Sequence, residues 1–229
     1  MPGSEPKPVT ITIDNATRVS GLLQAPPKAR ACFVFAHGAG AGMTHPFMAA
    51  IASGLAERGV ATLRYQFPYM EKGGKRTDAP KLAHATVCAA TSEALRLLPT
   101  TPLIAGGKSF GGRMTSQAQA IGPLASVRGL AFLGFPLHAA GHPAHDRGNH
   151  LFEVHIPMLF LQGTRDALAD MNELTPLCEA FGKRATLKLF QDADHSFHVP
   201  VKSCRTDLQV RIELLDALRG WIDATSAAG

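Results

Sequence analysis

Gly107-Lys108-Ser109-Phe110-Gly111 sets a serine hydroxyl midway between two glycines. The spacing fits G-x-S-x-G, the nucleophile elbow, a sharp strand-to-helix turn that lifts a hydroxyl above a sheet. A serine at such a tip sits in strained backbone, and the residues two before and two after it crowd together, so glycine is favoured at Gly107 and Gly111. A helix beginning near Phe110 would bring free N–H groups and a positive dipole end beside the hydroxyl, where both stabilise developing negative charge. The chemistry this serves is attack on a carbonyl carbon. Because a hydroxyl is a poor nucleophile at neutral pH, an adjacent base must take its proton, and a third group must orient that base.

Candidates for both partners lie downstream in the order serine, acid, histidine. His195, in DADHSFH just past the last expected strand, is the preferred base, with His198 as the near alternative. For the acid, Asp166 follows MLFLQGTR at the carboxyl end of a strand, where ligand-facing residues of parallel sheets collect. Asp170 competes but reads as a helix cap, and Asp192 and Asp194 stand too near His195 in sequence to reach its far ring nitrogen. An oxyanion hole would combine the Phe110 N–H with that of Ala39, in His37-Gly38-Ala39-Gly40 after an early buried strand. His37 reads as a brace for that loop rather than a second base.

Lys108 and Arg113 flank the serine and are candidates to contact an anionic substrate, although an exposed elbow position and a helix surface explain them equally well. His138, His142, His145, His150 and His155 gather with Asp146 in one stretch. Their spacing is too irregular to set two on one face of a strand or helix, so no metal site is expected there.

The elements that must position these groups alternate along the chain. VTITI and the Val19 to Leu23 segment read as a hairpin or paired edge strands, with Thr10 and Thr12 facing solvent. Cys32 to Ala36 is a continuous apolar run, the pattern of a strand buried on both faces of a mainly parallel sheet. Phe47, Ile51 and Leu55 recur at helical spacing up to Gly59, and VATLRYQF is the next strand. Phe67 to Asp78 reads as a loop, and Pro80 to Leu98 as a helix. After the elbow come strands at Gly129 to Phe135, MLFLQG and Ala185 to Phe190. A helix between the last two carries Leu174, Leu177, Cys178 and Phe181 on one face, with Asp170 and Glu173 as a capping pair. Leu208, Ile212, Leu215, Leu218 and Ile222 mark the apolar stripe of a final helix. The alternation predicts an α/β fold with helices on both faces of the sheet. Residues 137–154 lack clear periodicity and are long enough for a small lid but not for a separate cap domain.

With 229 residues, 45% hydrophobic and 18% charged, the chain suits one globular domain, 1–229. A net charge of +5 raises the question of nucleic acid, but the basic residues are dispersed, and the densest group, EKGGKR, lacks interleaved aromatics. Neither a signal-peptide pattern nor a membrane-length apolar run is present, so a soluble cytoplasmic protein is expected, binding neither nucleic acid nor membrane. Cys32, Cys88, Cys178 and Cys204 show no C-x-x-C spacing and read as reduced, mostly packed thiols.

With HGAGAGM, GGKSFGGRM, GFPLH, LFLQGTRD and DADHSF in this order, the chain resembles the α/β-hydrolase superfamily over roughly residues 9 to 225. Within it the similarity is to small cap-less dienelactone-hydrolase-like proteins, including a testis-expressed vertebrate relative. The resemblance implies an eight-stranded, mostly parallel sheet with Ser109, Asp166 and His195 as the triad, and it supports Ala39 and Phe110 as oxyanion donors. Dienelactone hydrolases proper carry cysteine where this chain has Ser109, which separates it from their specific lactone chemistry. The expected function is a serine hydrolase cleaving carboxylic esters or thioesters of small substrates through an acyl-enzyme intermediate, without a cofactor. The alternatives are a non-catalytic or accessory binding protein on the same fold, or an amide or peptide hydrolase.

Overall fold

The computed structural model describes residues 4–142 and 144–227. Four strands form its centre: β3 (Ala31–Ala36), β5 (Leu103–Lys108), β6 (Val127–Leu133) and β7 (Met158–Gly163). Every residue of β3 and β7 is buried, as the apolar runs ACFVFA and MLFLQG require of strands covered on both sides. Around them β1 (Lys7–Thr12), β2 (Arg18–Gln24), β4 (Val60–Tyr65) and β8 (Ala185–Phe190) complete an eight-stranded sheet in the order β1-β2-β4-β3-β5-β6-β7-β8. β1 and β2 pair as an antiparallel hairpin, β2 joins β4 antiparallel, and every pairing from β4 to β8 is parallel.

Parallel neighbours need crossover connections. These are α1 (Pro46–Glu57), the single turn α2 (Pro68–Glu71) with α3 (Pro80–Leu97), α4 (Phe110–Ile121) and α5 (Met171–Ala180), and α6 (Asp207–Ala227) follows the last strand. Alternation along the strands divides the core in two. Cys32, Val34, Ala105, Phe132 and Phe160 face Val87, Met114 and Leu174 on α3, α4 and α5. Phe33, Phe35, Ile104, Leu133 and Leu161 face Ile51, Leu55, Leu214 and Leu218 on α1 and α6. Each such side chain contributes about 1.5–3 kcal/mol on burial, so a one-residue slip of a central strand would exchange partners across both layers.

Several expectations are corrected. The final helix buries Val210, Leu214, Leu215, Leu218 and Ile222, while Leu208 and Ile212 stand 55% and 44% exposed. The stripe therefore starts at Val210, four residues before Leu214, and the two earlier apolar residues lie off it. Within the expected 67–78 loop, Pro68 starts the one-turn α2, its fixed backbone angle suiting a first helical position. Asp170 caps α5 by accepting the Asn172 N–H, but the Glu173 carboxylate turns outward to His145 and closes no reciprocal box. All four cysteines are free, yet only Cys32 and Cys178 are buried. Residues 146–153 form a 3₁₀ segment on the β6–β7 connection, which carries no α-helix among the described residues. No helix among the described residues is long and apolar enough to cross a membrane.

Candidate active site

The carboxyl ends of β3 and β5 lie side by side, but the chain leaves β3 toward β4 and leaves β5 toward β6, on opposite sides. A crevice opens where the two connections diverge. Ser109 sits there, between the last residue of β5 and the first of α4, with φ 50° and ψ −116°. Such a conformation costs a non-glycine residue of the order of 1–3 kcal/mol and persists only where the surroundings enforce it. The packing around it leaves no room for a Cβ on either flanking glycine. A Cβ on Gly107 would lie 2.5 Å from the Ala36 carbonyl oxygen, and one on Gly111 would lie 2.6 Å from that of His37. The tightest contacts of both glycines are thus with the end of β3, beyond the crowding of each glycine on the other.

Three distant side chains converge at this turn. His195 Nε2 lies 2.9 Å from Ser109 Oγ, and His195 Nδ1 lies 2.7 Å from Asp166 Oδ2. A carboxylate oxygen accepts, so Nδ1 carries the ring proton and Nε2 is left to accept from the serine hydroxyl. The Asp166 side chain is wholly buried, whereas His195 is about a quarter open to solvent. Asp166 is held from two further directions: its Oδ1 accepts the Leu168 N–H at 2.8 Å, and its Oδ2 accepts from Gln162 Nε2 at 2.5 Å. Gln162 is itself fixed because its Oε1 accepts the Phe135 N–H at 2.8 Å. Gln162 escaped the sequence reading; its one signal is a lone amide in the apolar run MLFLQG, a polar group that must find partners once buried.

The competing residues have other employment. Asp194 Oδ1 accepts the N–H groups of Ser196 and His198, closing the turn that carries His195. His198 pairs with Asp207 at 2.9 Å on an exposed face. Asp192 accepts a long contact from Gln191, while its own N–H donates to Thr164 Oγ1. His37 Nε2 accepts the Phe67 N–H at 3.1 Å and its Nδ1 side contacts the Gly38 carbonyl at 2.8 Å, a brace inside the loop after β3. Burial pushes the His37 imidazole down to about 4, partly offset by the Gly38 contact, which keeps it neutral.

A cavity of about 210 Å³ opens beside the serine, lined by Gly38, Ala39, Ala41, Phe47 and Met48 together with Lys108 and His195. The described residues of 137–154 are not among those lining it. Among the described residues, the N–H groups of Ala39 and Phe110 have no hydrogen-bond partner in the molecule. Lys108 does not occupy an exposed elbow position: its ammonium is buried and has no hydrogen-bond partner. Arg113 is not among the residues lining the cavity, and burial followed by the Arg147 charge, partly offset by Asp146, holds its guanidinium below the usual range.

The remaining histidines are separated. His138 Nε2 accepts the Asp170 N–H, His145 meets Glu173, and His150 contacts Ser116 at 2.7 Å. The Ser116–His150 pair differs in kind from the Ser109 relay. Ser116 Oγ lies 2.9 Å from its own helix's Arg113 carbonyl, which it can donate to, and burial together with the Arg113 charge pushes His150 down to about 4. No group of three or more metal-ligating side chains occurs among the described residues.

Solved structures share this architecture. The chain is 20% identical to a serine hydrolase without lid from Xanthomonas campestris, covering 95% of each chain with a TM-score of 0.72. It is 19% identical to a dienelactone hydrolase from Anabaena variabilis, covering 96% of this chain and 98% of that one with a TM-score of 0.76. An esterase from Pyrococcus furiosus is 16% identical, with 96% and 93% covered and a TM-score of 0.74. At these identities the likeness is one of fold. Residues 29–223 match the family model of the alpha/beta hydrolase domain, a span that holds β3 to β8 and all three members of the relay, and the chain belongs to that family.

Proposed function

We propose that the protein is a serine hydrolase that cleaves carboxylic esters or thioesters of small substrates through an acyl-enzyme intermediate. The observation that carries this reading is the unbroken hydrogen-bonded relay from Ser109 through His195 to buried Asp166, set against an open cavity. Ser109 attacks the carbonyl carbon while His195 Nε2 takes the hydroxyl proton. Asp166 holds the ring and stabilises its charged form. The oxyanion is received by the N–H groups of Ala39 and Phe110, both without partners among the described residues, and one such donor is worth about 2.7–4 kcal/mol of transition-state stabilisation. His195 returns its proton to the leaving oxygen or sulfur, and water then repeats the sequence on the acyl-serine.

The same reading takes the chain as one catalytic domain and places it in the cytoplasm, where four free thiols stay reduced. It requires neither metal nor cofactor. A fluorophosphonate probe should label the wild-type protein on Ser109. Ser109→Ala should lose the label and at least about 10³-fold of its ester turnover while unfolding at the same temperature or higher. A folded wild-type protein that takes no label overturns the proposal.

A further inference from the structure

The relay leaves one charged group unexplained. Lys108 ends β5, one residue before the serine, and its Nζ is buried with no hydrogen-bond partner among the described residues. An ammonium in that state is costly unless neighbouring charges compensate it. Its position follows from Gly134, which follows β6 with φ +70°. A Cβ built there would lie 2.9 Å from Lys108 Nζ, 3.3 Å from His195 Nδ1 and 3.4 Å from His195 Cε1. The ammonium and the imidazole therefore border one space that a glycine leaves open, and they stand no more than about 6 Å apart, the bound set by the first two distances. The ammonium also sits 5.8 Å over the Phe197 ring, a favourable contact for a cation.

The charged and titratable groups facing this ammonium are Asp166 on the turn after β7 and Asp194 and His195 on the loop after β8. The loop after β3 presents Gly38 to its stem, the end of β6 presents Gly134, and His45, ahead of α1, lines the same cavity. Both carboxylates already accept hydrogen bonds from other donors, so they act on Lys108 through space only. Burial pushes the ammonium down to about 8, partly offset by Asp166 and then Asp194.

We propose that Lys108 is a positioning residue of the relay, one whose charge acts through space on His195 and restrains formation of the imidazolium that serine attack requires. The ammonium and the imidazole both abut the space over Gly134, and like charges at this separation disfavour one another. Loss of the lysine proton then releases the base. The coupling rests on the geometry of the relay and holds whether or not the protein hydrolyses esters.

The test follows the His195 Hε1 resonance by NMR in wild-type protein, assigned by its disappearance in His195→Gln. As Lys108 titrates near pH 8, the resonance should move through a step centred there, which Lys108→Met and Lys108→Gln both lack. A wild-type titration without that step overturns the inference, even if neither variant folds. So does a step that persists in a folded variant. Fluorophosphonate labelling supplies the kinetic consequence: the wild-type rate should rise roughly tenfold through the same pH range, and the variants should react at the higher rate already at pH 7. Protein that shows the resonance step but takes no label would sink the hydrolase reading and leave the coupling standing; labelled protein without the step would do the reverse.

Discussion

Gln162→Leu should weaken both the fold and the relay, because one buried amide serves two partners at once. Its Nε2 donates to Asp166 Oδ2 and its Oε1 accepts the Phe135 N–H, and the residue has no exposure. Leucine fills much the same volume, so packing loss is minor and the polar terms decide the outcome. A buried N–H left at Phe135 without an acceptor costs about 1–3 kcal/mol, and a hydrogen bond to a charged group is worth about 1.5–3 kcal/mol. Together they predict a loss of about 2.5–6 kcal/mol from a total that is typically about 5–15 kcal/mol. For a chain of this length that lowers the unfolding midpoint by roughly 5–24 °C. Asp166 would keep the Leu168 N–H and His195 but lose the contact that fixes Oδ2, so the imidazole should be held less well and labelling of Ser109 should slow about tenfold. Urea unfolding followed by circular dichroism, with labelling rates measured well below the midpoint, reads both effects. A variant within about 0.5 kcal/mol of wild type would refute the assignment of Gln162 as a double anchor, since a conservative surface change has effects of that size.

The size and apolar lining of the cavity predict a preference for short acyl groups among p-nitrophenyl esters, and faster cleavage of long-chain esters would contradict it. His37 supplies a stability prediction with a definite sign. Its folded value of about 4 lies below the ordinary 6.5, so the unfolded chain binds the extra proton. Its contribution is fully present above pH 6.5 and is lost as pH falls from there toward 4. The loss approaches about 3 kcal/mol, and denaturant titrations should show it shrinking in His37→Gln. An equal slope in wild type and variant would assign the acid sensitivity to other groups.

Much of this protein is legible in its sequence because the signals are local. Continuous apolar runs mark β3, β5, β6 and β7 since strands covered on both faces cannot alternate, and Gly107, Ser109 and Gly111 declare their turn because backbone strain and steric exclusion act over five residues. His195 is preferred to His198 as nearer a strand end, and Asp166 stands at the end of a strand, whereas Asp170 reads as a helix cap and Asp192 and Asp194 lie too near His195 in sequence. Where several apolar residues compete for one helix face, the pattern misleads: Leu208 and Ile212 share helical spacing, but the α6 axis is set by packing on α1 and the sheet, and that contact selects Val210 and Leu214.

The burial of polar groups, by contrast, is set by contacts between segments distant in sequence. A lysine beside a turn and a glutamine in a strand look the same in sequence whether they meet water or protein. Long-range partners settle the matter: the Gly134 backbone and the Phe197 ring for Lys108, the Phe135 N–H and Asp166 for Gln162. Local spacing determines which groups are available for chemistry. The electrostatic surroundings in which they work depend on atoms brought together from β5, β6, β7 and the loop after β8, and no short stretch of chain contains that sum.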